Sequence, residues 1–129
     1  LIPNLKQPVL GICLGMQLMC DFSEEGNTDC LKIFDSNVKR FKSTLKVPQI
    51  GWNTIFGLKT SLFESINENE YMYLVHSYYV PLLATTVATS NYGINYSSAI
   101  KKNNFIGVQF HPEKSGSQGE VVLKNFINN

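Results

Sequence analysis

Two short segments carry side chains that could do chemistry together. In Gly11-Ile12-Cys13-Leu14-Gly15 a thiol is bracketed, two residues to either side, by glycine. A nucleophile on a sharp strand-to-helix turn needs small neighbours there, because larger side chains collide in the strained backbone. Such a turn sets the sulfur at a helix N-terminus, where the dipole favours thiolate and lowers the cysteine pKa. It also aims the Leu14 N–H at a developing oxyanion, which is half of an oxyanion hole. In Gln109-Phe110-His111-Pro112-Glu113, residues i and i+2 of an extended stretch share a side, so His111 and Glu113 can touch. Pro112 holds His111 in the extended region. A carboxylate beside an imidazole fixes its tautomer and stabilises the imidazolium formed when it takes a proton. Taken singly, the first segment also fits a buried cysteine ending a strand, and the second an exposed ion pair of little energetic weight. Together they supply a nucleophile, a base and an orienter in the order Cys, His, Glu, which is far more specific.

Both segments close apolar runs, LGIC and IGVQF, and in α/β sheets chemistry gathers at strand carboxyl ends. Residues 8–13 read as a buried strand with Pro8 at its start, followed by a tight turn and a helix over 16–22 (MQLMCDF). The polar stretch 23–29 (SEEGNTD) reads as a loop. Short alternating pieces between 31 and 58 (LKIF, VKRF, TLKV), around Pro48 and Gly51, suggest small antiparallel strands. Thr60 or Ser61 caps a helical turn over 60–66, with Glu64 placed for a capping box. Strands are expected over 71–80, 85–93, 95–102 and 104–110, and a helix over 115–129, where apolar residues fall at 121, 122, 123, 126 and 127. The whole reads as α/β with a mixed sheet.

Composition narrows the function. The 129 residues are 43% hydrophobic, 16% charged and 12% aromatic, with nine Gly and five Pro. That excludes a disordered or collagen-like chain and fits one domain with a real core. Eleven Lys and Arg against ten Asp and Glu leave a charge of +1, which argues against nucleic acid as a partner. No apolar run is long enough to span a bilayer and no signal segment opens the chain, so no membrane partner is expected. Three cysteines at 13, 20 and 30, without a C-x-x-C pair and far from His76 and His111, fit reduced cytosolic thiols rather than a metal site. No cofactor is implied.

The motifs GICLGMQ (11–17) and GVQFHPEKS (107–115) resemble the nucleophile and His–Glu signatures of class I glutamine amidotransferases. PQIGWN (48–53), YLVHSYY (73–79) and the closing FHPEKS pattern further resemble the glutaminase subunits of imidazole glycerol phosphate synthases, and the resemblance runs over essentially all of the chain. It implies a single domain over 1–129 with a flavodoxin-like mixed sheet and flanking helices. It implies hydrolysis of glutamine to glutamate, in the cytoplasm, with ammonia passed to a cyclase partner in a heterodimer that serves histidine biosynthesis. By the same resemblance Cys13 is the nucleophile, His111 the base and acid, Glu113 its orienter, and Leu14 the oxyanion donor. Gln17 and Glu25 are then substrate contacts, Glu25 meeting the ammonium, while Ser77 and Tyr78 grip the α-carboxylate. Pro48, Trp52, Asn53 and Lys114 face the partner. His76 reads as a core histidine on the residues alone, and Gln49 stands where many relatives carry histidine.

The family's first strands, and the loop that supplies its second oxyanion N–H, have no counterpart in these residues. The expectation is a domain incomplete at its N-terminus, with an exposed edge at 8–13, prone to self-association and nearly inactive alone. Other readings are another class I amidotransferase, a γ-glutamyl hydrolase on the same turn, a non-catalytic interaction module, or a redox-sensing thiol in which Cys20 approaches Cys13.

Overall fold

The structure, a computed structural model, describes residues 1–129. Its first strand, β1 (Val9–Ile12), leads through Cys13 into a short helix, α1 (Leu14–Leu18). Two small strands, β2 (Phe22–Ser23) and β3 (Thr28–Asp29), precede β4 (Asn37–Arg40) and β5 (Gln49–Ile55). Then come β6 (Glu70–His76), β7 (Tyr78–Tyr79), β8 (Thr86–Asn91), β9 (Asn95–Lys102), β10 (Phe105–Val108) and α2 (Gly116–Asn128).

The central sheet has the order β1-β10-β9-β8. β1 runs parallel to β10, with Gly11 opposite Gly107 and Ile12 opposite Val108, whereas β10–β9 and β9–β8 are antiparallel. The sheet is therefore mixed, and β1 lies at its edge. Alternation along β9 and β10 sends Ala99 and Val108 to one face and Ile100 and Phe105 to the other. The first face packs on Met72, Leu74, Phe63 and Val122, and the second on Met16, Met19, Phe34 and Val38. Burying both faces of a sheet that carries a parallel pair is what the apolar runs LGI and FIGV require.

The paired glycines decide how close α1 sits to the sheet. A Cβ on Gly11 would lie 2.7 Å from the Gly15 carbonyl carbon, and one on Gly107 would lie 2.7 Å from Met16 Cγ. Gly15 itself has open space around it, so only the first glycine of the bracket is demanded by packing within this chain.

Several elements depart from the sequence reading. The helix covers 14–18 rather than 16–22, because the 30–34 segment takes its terminal carbonyls: Leu31, Lys32 and Phe34 N–H groups donate to the oxygens of Leu18, Cys20 and Met19. The 23–29 loop holds β3, part of β2 and a 3-10 turn over Glu25–Asn27. Neither LKIF nor TLKV is a strand, although Phe34 is buried. Over 60–66 there is one 3-10 turn, Ser61–Phe63, capped by Thr60 Oγ1 on Leu62 N–H, and the Glu64 side chain makes no capping bond. The strand expected over 71–80 is interrupted at Ser77, where the chain leaves β5 and pairs with β4.

Candidate functional site

Cys13 stands between β1 and α1 with φ 54°, ψ −107°, a positive φ that a non-glycine residue rarely adopts. Its N–H donates to Val108 O (2.7 Å), so the parallel pairing of β1 with β10 continues onto Cys13 itself. Gln109 therefore stands beside Cys13 at the carboxyl end of the neighbouring strand. The Gln109 amide, fully buried, donates from Nε2 to Cys13 Sγ (3.5 Å) and accepts at Oε1 from Gln17 Nε2 (2.9 Å). Gln17 Nε2 also donates to Tyr78 O (3.0 Å), which leaves its carbonyl oxygen without a protein partner. The thiol donates to Val75 O (3.6 Å).

The expectation of a lowered thiol pKa does not hold. Burial pushes the Cys13 thiol above its ordinary value of 9.0, against the opposing pull of the Leu14 N–H and the Gln109 amide. Glu113 and Glu25 push in the same direction as burial. A helix of five residues has too few aligned peptide dipoles to reverse this.

Two residues beyond Gln109, the His111 N–H donates to Tyr73 O (2.9 Å), tying the segment to β6. Ser115 completes the clasp: its hydroxyl donates to His111 O (2.6 Å) and accepts from Tyr73 N–H (3.0 Å). His111 Nδ1 pairs with Glu113 Oε2 at 2.9 Å, which leaves Nε2 free for a substrate or thiol proton. No hydrogen bond joins His111 to Cys13, and catalytic bonds of this kind are often long before substrate binds.

A cavity of about 500 Å³ opens at the elbow. Cys13, Leu14, Gln17, Glu25, Ser77 and Tyr78 line it, with Pro48 on its wall. His111 and Glu113 stand outside that lining. Sequence reasoning missed Arg40 and Val75, which line it too, as does His76, read from the sequence as a core histidine. Arg40 carried one signal, as the only arginine in the chain.

Trp52 is 55% exposed, beside Ile50 at 64% and Tyr71 at 57%, on the outer face of the β5–β6 pair. Asn53, expected to face a partner, alternates to the inner side. Its Nδ2 donates to Gln49 Oε1 and to Asn91 O (both 2.8 Å), so its amide is committed within the fold. Lys114 is exposed directly after the His–Glu pair. No group of three or more His, Cys, Asp or Glu side chains is placed to hold a metal ion. No helix is long and apolar enough to cross a membrane.

His76, 6% exposed, is enclosed by a polar network. Its Nδ1 donates to Tyr78 O (2.7 Å), and its Nε2 lies 2.8 Å from Gln49 Nε2, which also donates to Tyr96 OH. Burial, aided by the charge of His111, lowers its pKa from 6.5 to about 4. The unfolded chain then binds a proton between those values that the folded chain refuses, so stability is lost as pH falls from about 6.5 to 4. The expected loss below pH 4 is about 3 kcal/mol. Urea titrations of the wild type and His76→Gln between pH 4 and 7 check this; parallel pH dependences would refute it.

The class I glutamine amidotransferase model matches residues 2–129. The chain belongs to the class I glutamine amidotransferase family. It is 58% identical to the imidazole glycerol phosphate synthase subunit HisH of Bacteroides fragilis, over 98% of this chain and 66% of that protein. To the HisH subunit of Haemophilus influenzae it is 54% identical, over 98% of this chain and 64% of that protein. The chain thus spans about two thirds of the length of these amidotransferase relatives. The fold matches a candidate GMP synthase subunit from Thermoplasma acidophilum with a TM-score of 0.73, at 21% identity, over 98% of this chain and 59% of that one.

Proposed function

We propose that this amidotransferase chain hydrolyses glutamine to glutamate and ammonia, and that ammonia passes to a cyclase partner as in imidazole glycerol phosphate synthesis. The reading is supported above all by one observation. The strained thiol and the His111–Glu113 pair leave the carboxyl ends of two parallel neighbours, β1 and β10, linked by the Cys13 N–H to Val108 O bond. Identity to HisH subunits over nearly the whole chain supports the partner class.

In this mechanism His111 Nε2 accepts the thiol proton as Cys13 Sγ attacks the amide carbon of glutamine. The Leu14 N–H, the first donor after the nucleophile on the strand-to-helix turn, meets the oxyanion. The tetrahedral intermediate collapses as His111 returns the proton to the departing nitrogen, releasing ammonia and leaving a γ-glutamyl thioester. His111 then takes a proton from water, which attacks the thioester; glutamate leaves and the thiol is regenerated. Glu113 steadies the imidazolium at both stages. Gln17, Glu25, Ser77 and Tyr78 hold the substrate. Pro48, Ile50, Trp52, Tyr71 and Lys114 form the face offered to the cyclase, an apolar patch with one cation at its edge. The assembly is a heterodimer working in the cytoplasm and needs no cofactor.

The test is intact mass after incubation with a γ-electrophilic glutamine analogue, with the cyclase subunit present. One adduct is expected, blocked by excess glutamine and absent in Cys13→Ala. Absence of any glutamine-protected adduct would refute the glutaminase reading, and glutamine turnover without transfer of ammonia to an imidazole-forming partner would refute the synthase part.

A further inference from the structure

We propose that Arg40 is a further substrate-binding residue, which selects free α-amino acids by adding an ion pair to the α-carboxylate that Ser77 and Tyr78 also hold. The inference rests on the glutaminase reading and deepens it. Arg40 closes β4, directly opposite Tyr78 of β7. Its backbone N–H donates to Glu24 Oε1 (2.8 Å), which anchors the strand end. Its guanidinium carbon lies 5.6 Å from the centroid of the Tyr78 ring, and Nη1 donates to Tyr78 OH at 3.4 Å. Held by Tyr78 in this way, Arg40 lines the cavity that also holds Cys13.

The charge of Arg40 has no partner within the chain. The ion pairs of the fold are His111–Glu113 and Lys124–Glu120. An arginine bound only to be part of the fold would be expected to meet one of the acids near it, yet Glu24 spends its Oε1 on a backbone N–H. No lysine lines the cavity, so Arg40 is its cation and Glu25 its acid. One positive and one negative group, with a nucleophile in the same cavity, match a zwitterionic head and a reactive side-chain amide. A guanidinium meets a carboxylate with two parallel hydrogen bonds, a geometry an ammonium does not reproduce. A glutamine residue inside a peptide has no α-carboxylate to offer and would leave the fork unpaired. Arg40 thereby distinguishes free glutamine from the far more abundant glutaminyl groups of proteins.

Two electrophilic probes test this, a γ-chloroketone analogue of glutamine and the same molecule with its α-carboxylate converted to a carboxamide. Labelling of Cys13 is followed by intact mass in wild type, Arg40→Gln and Arg40→Lys, with the cyclase subunit present and at probe concentrations below saturation. The wild type should prefer the carboxylate probe. Arg40→Gln should slow that probe about 10- to 100-fold and the carboxamide probe less than about twofold, with Arg40→Lys recovering part of the loss. Alkylation by iodoacetamide should be unchanged, which reports an intact elbow. Equal loss for both probes, or no loss for the carboxylate probe, overturns the role of Arg40. A wild type that shows no glutamine-protected labelling fails at the earlier step and takes the glutaminase reading with it.

Discussion

His111→Asn is expected to lower glutamine turnover by about 10²- to 10⁴-fold at neutral pH, the range for loss of a positioned general base. The size of the effect follows from the state of the thiol. Burial raises the Cys13 pKa above 9.0, so thiolate is a small minority near neutrality and the proton must be taken during attack. A cysteine already ionised by a helix dipole would need its base less. The same fact separates chemistry from reactivity. Iodoacetamide, which needs thiolate but no base, should alkylate Cys13 about tenfold faster per pH unit until the raised pKa is reached, in the wild type and in His111→Asn alike. Glutamine turnover by the wild type should not follow that line. Steady-state kinetics with the cyclase subunit, beside alkylation rates from pH 6 to 10, decide it. A variant within tenfold of the wild type would show that His111 is not the base. Full alkylation rates at pH 6 would show a thiolate–imidazolium pair already formed.

The candidate chemical groups were more legible in the sequence than what holds them in place. Cys13, His111 and Glu113 are legible because their requirements are local: glycine two residues before the thiol, and an extended His-Pro-Glu. The strands of the central sheet were legible for a similar reason, since each is a short apolar or alternating run, and Asn- or Gly-containing turns separate β8 from β9 and β9 from β10. What failed was whatever depends on residues distant in the chain. Gln109 holds the sulfur and Gln17 together through a buried amide pair 92 residues apart, and nothing in a single segment announces it. The helix after Cys13 stops early because a later segment competes for its carbonyls. Asn53 turns inward because Gln49 and Asn91 require its amide, whereas the exposed Trp52 beside it follows simple strand alternation. The thiol pKa went the wrong way in the sequence reading because burial is a property of the whole packing, and here it outweighs a one-turn helix.

Gly119→Ala should be the most damaging single methyl group outside the cavity. An alanine in the middle of an exposed helix normally adds about 1 kcal/mol of stability over glycine. In α2 the added Cβ would overlap the carbonyl oxygen of Pro112, and would lie 2.8 Å from its carbonyl carbon and 2.7 Å from Ser115 Cβ. These are backbone and clasp atoms, not the free end of a flexible side chain, so they cannot simply swing aside. Overpacking of this kind costs about 1–3 kcal/mol, which cancels or exceeds the helical gain. The functional loss should be larger than the loss of stability. Pro112 joins His111 to Glu113, and Ser115 holds His111 O and Tyr73 N–H, so relief of the overlap moves the base relative to the sulfur. A displacement of about 1 Å at a reacting group can cost 10²-fold in rate. The expected result is a melting temperature lowered by several degrees at most and kcat lowered about 10²-fold, with iodoacetamide reactivity of Cys13 unchanged. Ser117→Ala, exposed on the same helix and free of side-chain bonds, is the matched control and should leave both at wild-type values. If Gly119→Ala kept wild-type turnover, the close packing of α2 against the 112–114 turn would have no part in placing His111, and the clasp through Ser115 alone would have to account for it.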